Sequence, residues 1–406
     1  MPTERADALV IGGGQAGLAT GHELARVGVE HVILERDRVG SMWRGLWNGF
    51  CINTPNWSLM LPGHAYDGDD PDGFMTREGI VGYLDRYAQV VDSPVREGVG
   101  VTELRPTEDG FRLETTDGPI AARTVVVCTG AFQRAFRPPR ADGLPAGLLA
   151  IDTRDYRGPS SLPEGAVLVV GNGQSGCQIA EELVDAGREV VLSCGRAAWA
   201  PRSVGGHDLV WWALETGFLD QGIDALPSPA ARLAANVTAS GVAGGHDLHL
   251  RSLRAKGVRL VGRFAGCEGA KIRFEGDLIA SVAWSDERYM DLRRMIEKLC
   301  AVRGIEDPGL PDPEPFEGEA PDAIATASMG AVIFAGGFRS DYADWIDLPM
   351  GFDEMGFPVQ RDGASSMAPG LFFAGVHFLR TRKSSLLCGV GEDAAVVAEG
   401  VAEHLG

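Results

Sequence analysis

Two short clusters carry residue types that could hold a nucleotide. GGGQAGLA spans residues 12–19 and GNGQSGCQ spans 171–178, each with the spacing G-x-G-x-x-G. In such a cluster the first glycine makes a tight turn and the second lets the backbone close on a pyrophosphate. The third lets the following helix pack against its strand, and the helix N-terminus offers free N–H groups and partial positive charge. A single copy is weak evidence for a dinucleotide site. Two copies suggest two nucleotides, one able to pass a hydride to the other.

The residue ending the second strand distinguishes the two copies. Glu35, followed by Arg36, stands where a carboxylate can accept hydrogen bonds from a free ribose diol. In the second copy the matching position reads as Ser193, with Arg196 close behind. A hydroxyl and a guanidinium accept a 2′-phosphate that a carboxylate would repel. The first cluster is therefore assigned to FAD, through Gly12, Gly14, Gln15, Ala16, Gly17 and Glu35. The second is assigned to NADPH, through Gly171, Gly173, Gln174, Ser175, Gly176, Ser193 and Arg196. Arg202 is a further candidate for the phosphate or the nicotinamide end.

These residues need strands and helices to position them, and the sequence supplies both. The apolar run ALVI (8–11) leads into the first cluster, a helical pattern follows, and HVILE (31–35) reads as the next strand. The stretch AVLVVGNGQSGCQIAEELVDAGREVVLS (166–193) repeats the plan, with Gly187 answering Gly28, so a whole β-α-β unit is duplicated. TVVVCTGAF (124–132) and AVIFAGGF (331–338) are buried strands that end in glycine. Pro-rich or polar pieces at 136–145 and 156–165 connect into the second copy. The acidic, proline-rich stretch 306–322 cannot form helix or strand. The chain closes on FFAGVHF and an amphipathic helix at 391–405.

The fold class expected is α/β, with two Rossmann-like dinucleotide-binding domains. Residues 1–157 and 318–406 would form a discontinuous FAD domain, and 158–317 an NADPH domain inserted into it.

At 406 residues the chain exceeds one ordinary domain. A net charge of −19 repels phosphate backbones and anionic lipid, so neither nucleic acid nor a membrane surface is an expected partner. No apolar run approaches the ~20 residues of a membrane span, and MPTERADALVIGGG does not resemble a signal peptide. The seven cysteines are scattered with no C-x-x-C pair, as in a reduced cytoplasmic protein.

Around the clusters lie GSMWRGLW (40–47), NTPNWSLMLPG (53–63), VVVCTGAFQRAFRPP (125–139), IDTRDYRGP (151–159), FRSDYADWI (338–346) and TRKSSLLCGVGEDAA (381–395). In this combination the chain resembles the class B flavoprotein monooxygenases over nearly its whole length. It looks closest to the flavin-containing monooxygenase and YUCCA-like branch, with its bacterial members labelled as flavoproteins of cation transport.

The resemblance implies FAD, NADPH and O2 as reactants and a C4a-(hydro)peroxyflavin that oxygenates an amine nitrogen or a sulfur of a small molecule. It further implies that Asn53 faces the reactive flavin edge as the catalytic residue and that Trp43 and Arg44 run along FAD. Thr381 and Lys383 would lie near the ring, and Gly391, Glu392 and Asp393 would open a helix aimed at it. A homodimer is left open.

One departure stands out. The family signature F-x-G-x-x-x-H-x-x-x-Y/F ends correctly at Tyr156, but Asp152 replaces its histidine, and Ala146 and Leu148 replace Phe and Gly. This keeps alternatives open: an NADPH-dependent reductase or oxidase releasing peroxide, a Baeyer–Villiger or decarboxylating oxygenase, or a redox-sensing flavoprotein. His246 and His249 form H-x-x-H without a third ligand, so no metal is expected. Cys51 and Cys388 are candidate thiols without a redox partner, Trp211 and Trp212 belong to an apolar helix, and His207 reads as a capping or surface residue.

Overall fold

The structure, a computed structural model, describes residues 4–91, 93–130, 132–234 and 236–406. Met1 to Thr3 of the opening stretch and Ala131 of the 125–139 run lie outside the described residues.

The elements that position the site are, in chain order, β1 (Glu4–Ile11), α1 (Gln15–Arg26), β2 (His31–Glu35), α2 (Ser41–Arg44), α3 (Arg77–Val90), β3 (Val95–Glu97) and β4 (Ile120–Val127). There follow β5 (Leu149–Asp152), β6 (Ala166–Val170), α4 (Gln174–Asp185), β7 (Val190–Ser193), β8 (Arg259–Val261), α5 (Leu278–Arg303), β9 (Met329–Phe334), β10 (Leu371–Phe373) and α6 (Val390–Leu405). The first sheet holds the parallel order β10-β4-β1-β2-β3, and the second holds β5-β9-β6-β7-β8, also parallel. Both faces of parallel strands are covered, which is why ALVI, VVV, AVLVV and AVIF are apolar without alternation.

The internal repeat extends to the hydrogen bonds. Gly12 N–H donates to Leu34 O at 2.8 Å and Gly171 N–H to Ser193 O at 2.9 Å. Cys128 N–H donates to Ile11 O, and Ala335 N–H to Val170 O, both at 2.8 Å. The third glycine is obligatory in each copy. A Cβ on Gly17 would lie 1.8 Å from Gly12 O, and one on Gly176 would lie 1.9 Å from Gly171 O.

Two expectations change here. Leu149–Asp152 and Met329–Phe334, which the expected boundaries leave in the first domain, are hydrogen-bonded into the second sheet. AVIF is to β6 what TVVV is to β1, so the second unit takes its own third strand from beyond the acidic stretch. That stretch forms neither helix nor strand, as expected, and Leu310 within it is buried against Trp212, Tyr289 and Cys300.

Register moves the second. Ile11 pairs with Leu34 and Val170 with Ser193, so Ser193 answers Leu34, and the residue answering Glu35 is Cys194. A slip of one residue reverses the face of a strand. Ser193 is 2% exposed, with its hydroxyl donating to Gly262 O at 3.0 Å.

The two units share side chains. Trp47, from the loop after α2, is buried in the second unit's core beside Tyr156, Cys177 and Ile179.

Candidate active site

Helices α1 and α4 begin at Gly14 and Gly173 with no side-chain cap and no acid in the first turn. By contrast α3 is capped by Thr76, and the helix Leu209–Glu215 by Asp208. The open N–H groups of α1 and α4 are what an anionic pyrophosphate would satisfy. A Cβ on Gly14 would meet nothing within 4 Å, so the space before α1 is clear. The residues present therefore fit two dinucleotides.

At the first site the Glu35 carboxylate is fixed from three sides. Oε2 accepts from Gly13 N–H at 2.7 Å, and Oε1 accepts from Asp37 N–H at 2.9 Å and Ser41 Oγ at 3.3 Å. Gln15 opens α1, donating Nε2 to Ser385 O at 3.4 Å while its Oε1 accepts from Trp43 Nε1 at 3.0 Å. Ala16 is buried and lies so close to Gly375 that a Cβ there would be 2.5 Å from its own. Arg36 points to solvent with Asp37, and Arg44 turns away to Asp85 and Val39 O. Neither reaches the cluster through its side chain.

Asn53 sits on a captured backbone. Its carbonyl accepts from Arg202 Nη1 at 2.7 Å, and Cys51 O accepts from Gln178 Nε2 at 2.8 Å. Gly241 passes close enough that a Cβ would lie 2.0 Å from Ile52 O. The Asn53 amide itself takes no hydrogen bond among the described residues, so it is not a turn cap. Downstream the segment packs on the start of α6, where Gly391 meets Pro62 with no room for a side chain.

The C-terminal candidates pair with one another. Lys383 Nζ lies 2.6 Å from Glu392 Oε1 and 2.8 Å from Asp220 Oδ1, which together hold its ammonium charged despite burial. Asp393 is 2% exposed and meets Arg380 at 3.3 Å, and burial pushes its carboxyl up. Three carboxylates, Glu392, Asp220 and Asp393, and two cations, Lys383 and Arg380, thus gather at the start of α6, the helix that the resemblance aims at the flavin. The Thr381 N–H donates to Ser384 Oγ at 3.0 Å.

At the second site Gln174 is engaged twice by Ala239, giving Nε2 to its carbonyl at 2.7 Å and accepting from its N–H at 3.1 Å. Ser175 stands half-buried on the first turn without a hydrogen-bond partner among the described residues. With Ser193 buried, the 2′-phosphate reading rests on Arg196, which is exposed and unpaired among the described residues. Sequence reasoning missed Arg263, whose chain runs 3.8 Å from the Cβ position of Gly195 and whose guanidinium pairs with Asp277. Only the return of β8 beside β7 brings it there.

Arg202, a candidate for the phosphate or the nicotinamide end, is engaged within the protein instead. It is 6% exposed, bonded to Asn53 O and at 2.6 Å to Asp208 Oδ1, and its guanidinium lies 5.1 Å from the Phe74 ring centre.

Asp152 lies on β5 and chelates Arg137, with Nε–Oδ1 at 2.8 Å and Nη2–Oδ2 at 3.0 Å. Tyr156 is fully buried and donates to Glu182 Oε2 at 2.7 Å. His246 bonds Glu181 at 2.7 Å, and His249 caps a short helix through Ser252. Trp212 is buried, while Trp211 stacks on His207 at 3.9 Å. All seven thiols are unpaired, and burial pushes Cys51 and Cys388 up to about 11.

A second missed residue is His377, two positions beyond Gly375. Its Nδ1 lies 2.8 Å from Ser385 Oγ, and its ring meets Phe132 edge-on at 4.9 Å. Burial, with Arg232 nearby, pushes it down to about 4.

Residues 9–205 match the family model described as pyridine nucleotide-disulphide oxidoreductase. An uncharacterized CzcO-like oxidoreductase of Geobacillus kaustophilus is 31% identical over 401 residues, covering 98% of this chain and 99% of the relative. The rice indole-3-pyruvate monooxygenase YUCCA1 is 30% identical over 183 residues, 43% of this chain and 44% of that one. The solved flavin-containing monooxygenase of Stenotrophomonas maltophilia superposes with a TM-score of 0.69 at 19% identity, covering 100% of both chains.

Proposed function

The chain belongs to the CzcO-like oxidoreductases, within the class B flavoprotein monooxygenase family, and from that premise we propose that it is an FAD- and NADPH-dependent monooxygenase of small molecules. The observation that carries this reading is the pair of congruent, uncapped helix N-termini behind Gly14 and Gly173. Glu35 stands ready for a ribose diol at one, and Arg196 for a 2′-phosphate at the other. The units we assign are a pyridine-nucleotide unit from Leu149 to Phe334, inserted into a flavin unit made of the rest.

Bound FAD would accept hydride from NADPH and activate O2. The chain's own part is to bind, orient and exclude water. The α1 and α4 N-termini hold the two pyrophosphates. Asn53, its carbonyl held by Arg202 and the backbone just before it held by Gln178 at Cys51 O, offers a free amide to the reacting region without having to reorganise. The preferred substrate atom is a soft nucleophile, an amine nitrogen or a sulfur.

A second reading, an NADPH oxidase that releases peroxide, is favoured by Asp152 in place of the signature histidine. A disulfide reductase lacks support, because the thiols are unpaired and burial keeps those of the two candidates, Cys51 and Cys388, protonated.

The test is to quantify FAD and then measure peroxide and oxygenated product per NADPH consumed, screening amines and sulfides. One product per NADPH supports the monooxygenase, and one peroxide per NADPH with every substrate moves the reading to the oxidase. An isolated chain without flavin would overturn both.

A further inference from the structure

Along the C-terminal edge of the first sheet, the strand order β10-β4-β1-β2 sets out four turns in a row. They carry Glu35, the glycines behind β1, Thr129–Gly130, and Gly375–His377. An FAD molecule with its ribose on Glu35 and its pyrophosphate at α1 must lay its other half away from Glu35, over the ends of β4 and β10. At the strand spacing of about 4.8 Å, β10 lies about 14 Å from β2, within reach of an extended dinucleotide.

The side chains at that far end are aromatic and specific. Three glycine turns of the two sheets bring Phe132, Phe338 and His377 together. Phe132 meets Phe338 at 5.5 Å and His377 at 4.9 Å, both edge-on. Ser385 joins this cluster to α1: its hydroxyl meets His377 Nδ1 and its carbonyl accepts from Gln15. The His377 carbonyl is held by Arg232 at 3.4 Å. The ring is thus fixed by backbone, hydroxyl and aromatic wall, yet Nε2 has no partner among the described residues. A fixed imidazole with one free nitrogen, beside the turns that end β4 and β10, is a group placed to contact a ligand laid across those turns.

We propose that His377 contacts the isoalloxazine half of FAD through Nε2, with Ser385 setting the ring's orientation and tautomer. The inference rests on the assignment of the first site to FAD. Ser385 acts through His377 and is a positioning residue.

The experiment compares wild type with His377→Phe, His377→Asn and Ser385→Ala, each as the full chain with its bound flavin. The readouts are flavin stoichiometry, the position of the visible flavin bands, and the midpoint potential of the bound flavin. His377→Phe is expected to bind FAD at least about tenfold more weakly, with shifted bands and an altered potential, whereas His377→Asn retains most of the wild-type signature. Ser385→Ala should shift the bands in the same direction by less. Full occupancy with unchanged bands and potential in His377→Phe overturns the inference while leaving the FAD assignment intact. If His377→Phe is recovered unfolded, Ser385→Ala and His377→Asn decide, and wild-type spectra in both overturn the inference. Wild-type protein that binds no flavin instead overturns the assignment beneath it.

Discussion

Asp152 and Arg137 form a two-toothed ion pair at 2.8 and 3.0 Å between β5 and the proline-rich connection that follows β4. Arg137 also lies 4.9 Å from the ring centre of Phe334, at the end of β9. The residue that departs from the family signature is therefore a partner in a clasp between the two units. Either single replacement by alanine should cost about 1 kcal/mol, because the pair is bidentate but partly exposed. The double variant should lose little more than either single. Urea unfolding of all four proteins measures this, and strict additivity would mean that the pair carries no coupling.

Recognition of the 2′-phosphate should reside in Arg196. Arg196→Ala is expected to raise the KM for NADPH by about 10- to 100-fold and leave NADH kinetics and kcat unchanged, as loss of a charged hydrogen bond predicts. Ser193→Ala should leave the KM for NADPH as it is, and Arg263→Ala should fall between. Steady-state kinetics with both nucleotides separate these outcomes.

Asn53→Ala should keep its FAD and lose product, diverting roughly ten- to a hundredfold more turnover to peroxide if the free amide acts at the reacting edge. Arg202→Met should produce part of this effect, since it frees the Asn53 carbonyl. It should also cost about 3 kcal/mol, because Asp208 is left without its cation. Peroxide per NADPH, read beside a melting curve, distinguishes a chemical role from a structural one.

His377 gives the fold a pH dependence of definite sign. Its folded pKa of about 4 lies below the ordinary 6.5, so between these values the folded chain binds fewer protons than the unfolded one. Stability should fall as pH is lowered from about 6.5 to 4, by up to about 3 kcal/mol. Arg232, itself paired with Asp353, is the facing cation that adds to the burial effect. Glu182 and Asp393, whose carboxyls burial raises, act in the opposite sense. Unfolding of His377→Phe against wild type at several pH values therefore isolates the histidine, and parallel curves would contradict its burial as the neutral form.

Cys51 and Cys388, pushed up to about 11, should be thiolate only to roughly one part in a thousand or less near neutrality. Alkylation of the native chain at pH 7.5 should leave NADPH oxidation unchanged. Rapid labelling of either cysteine with loss of activity would reopen the disulfide-reductase reading.

The glycine clusters, the duplicated β-α-β unit and Glu35 were legible because each is specified within some thirty residues by turn chemistry and an apolar period. Ser193 was misread because one position decides which face of β7 a residue takes, and only the pairing with β6 sets that register. Arg202 reads as a spare cation until Asn53 and Asp208 close on it. Leu149–Asp152 and AVIF fall within the bounds expected for the first domain yet pair into the second sheet, because strand partnership is a long-range property. His377 carried no local signal beyond lying after a glycine turn, and its meaning depends on Ser385 and Phe132.

The backbone from Trp47 to Asn53 belongs in sequence to the first unit but is mechanically part of the second. Trp47 fills the second core, Gln178 and Arg202 hold the carbonyls of Cys51 and Asn53, and Gly241 leaves no clearance over Ile52. The two halves are therefore not interchangeable modules. A chimera that borrows its pyridine-nucleotide half from a relative must import residues 45–53 with it, or else inherit a matching glutamine, arginine and glycine. Drift in the sequence of one half is answerable to the other through this short strip of main chain.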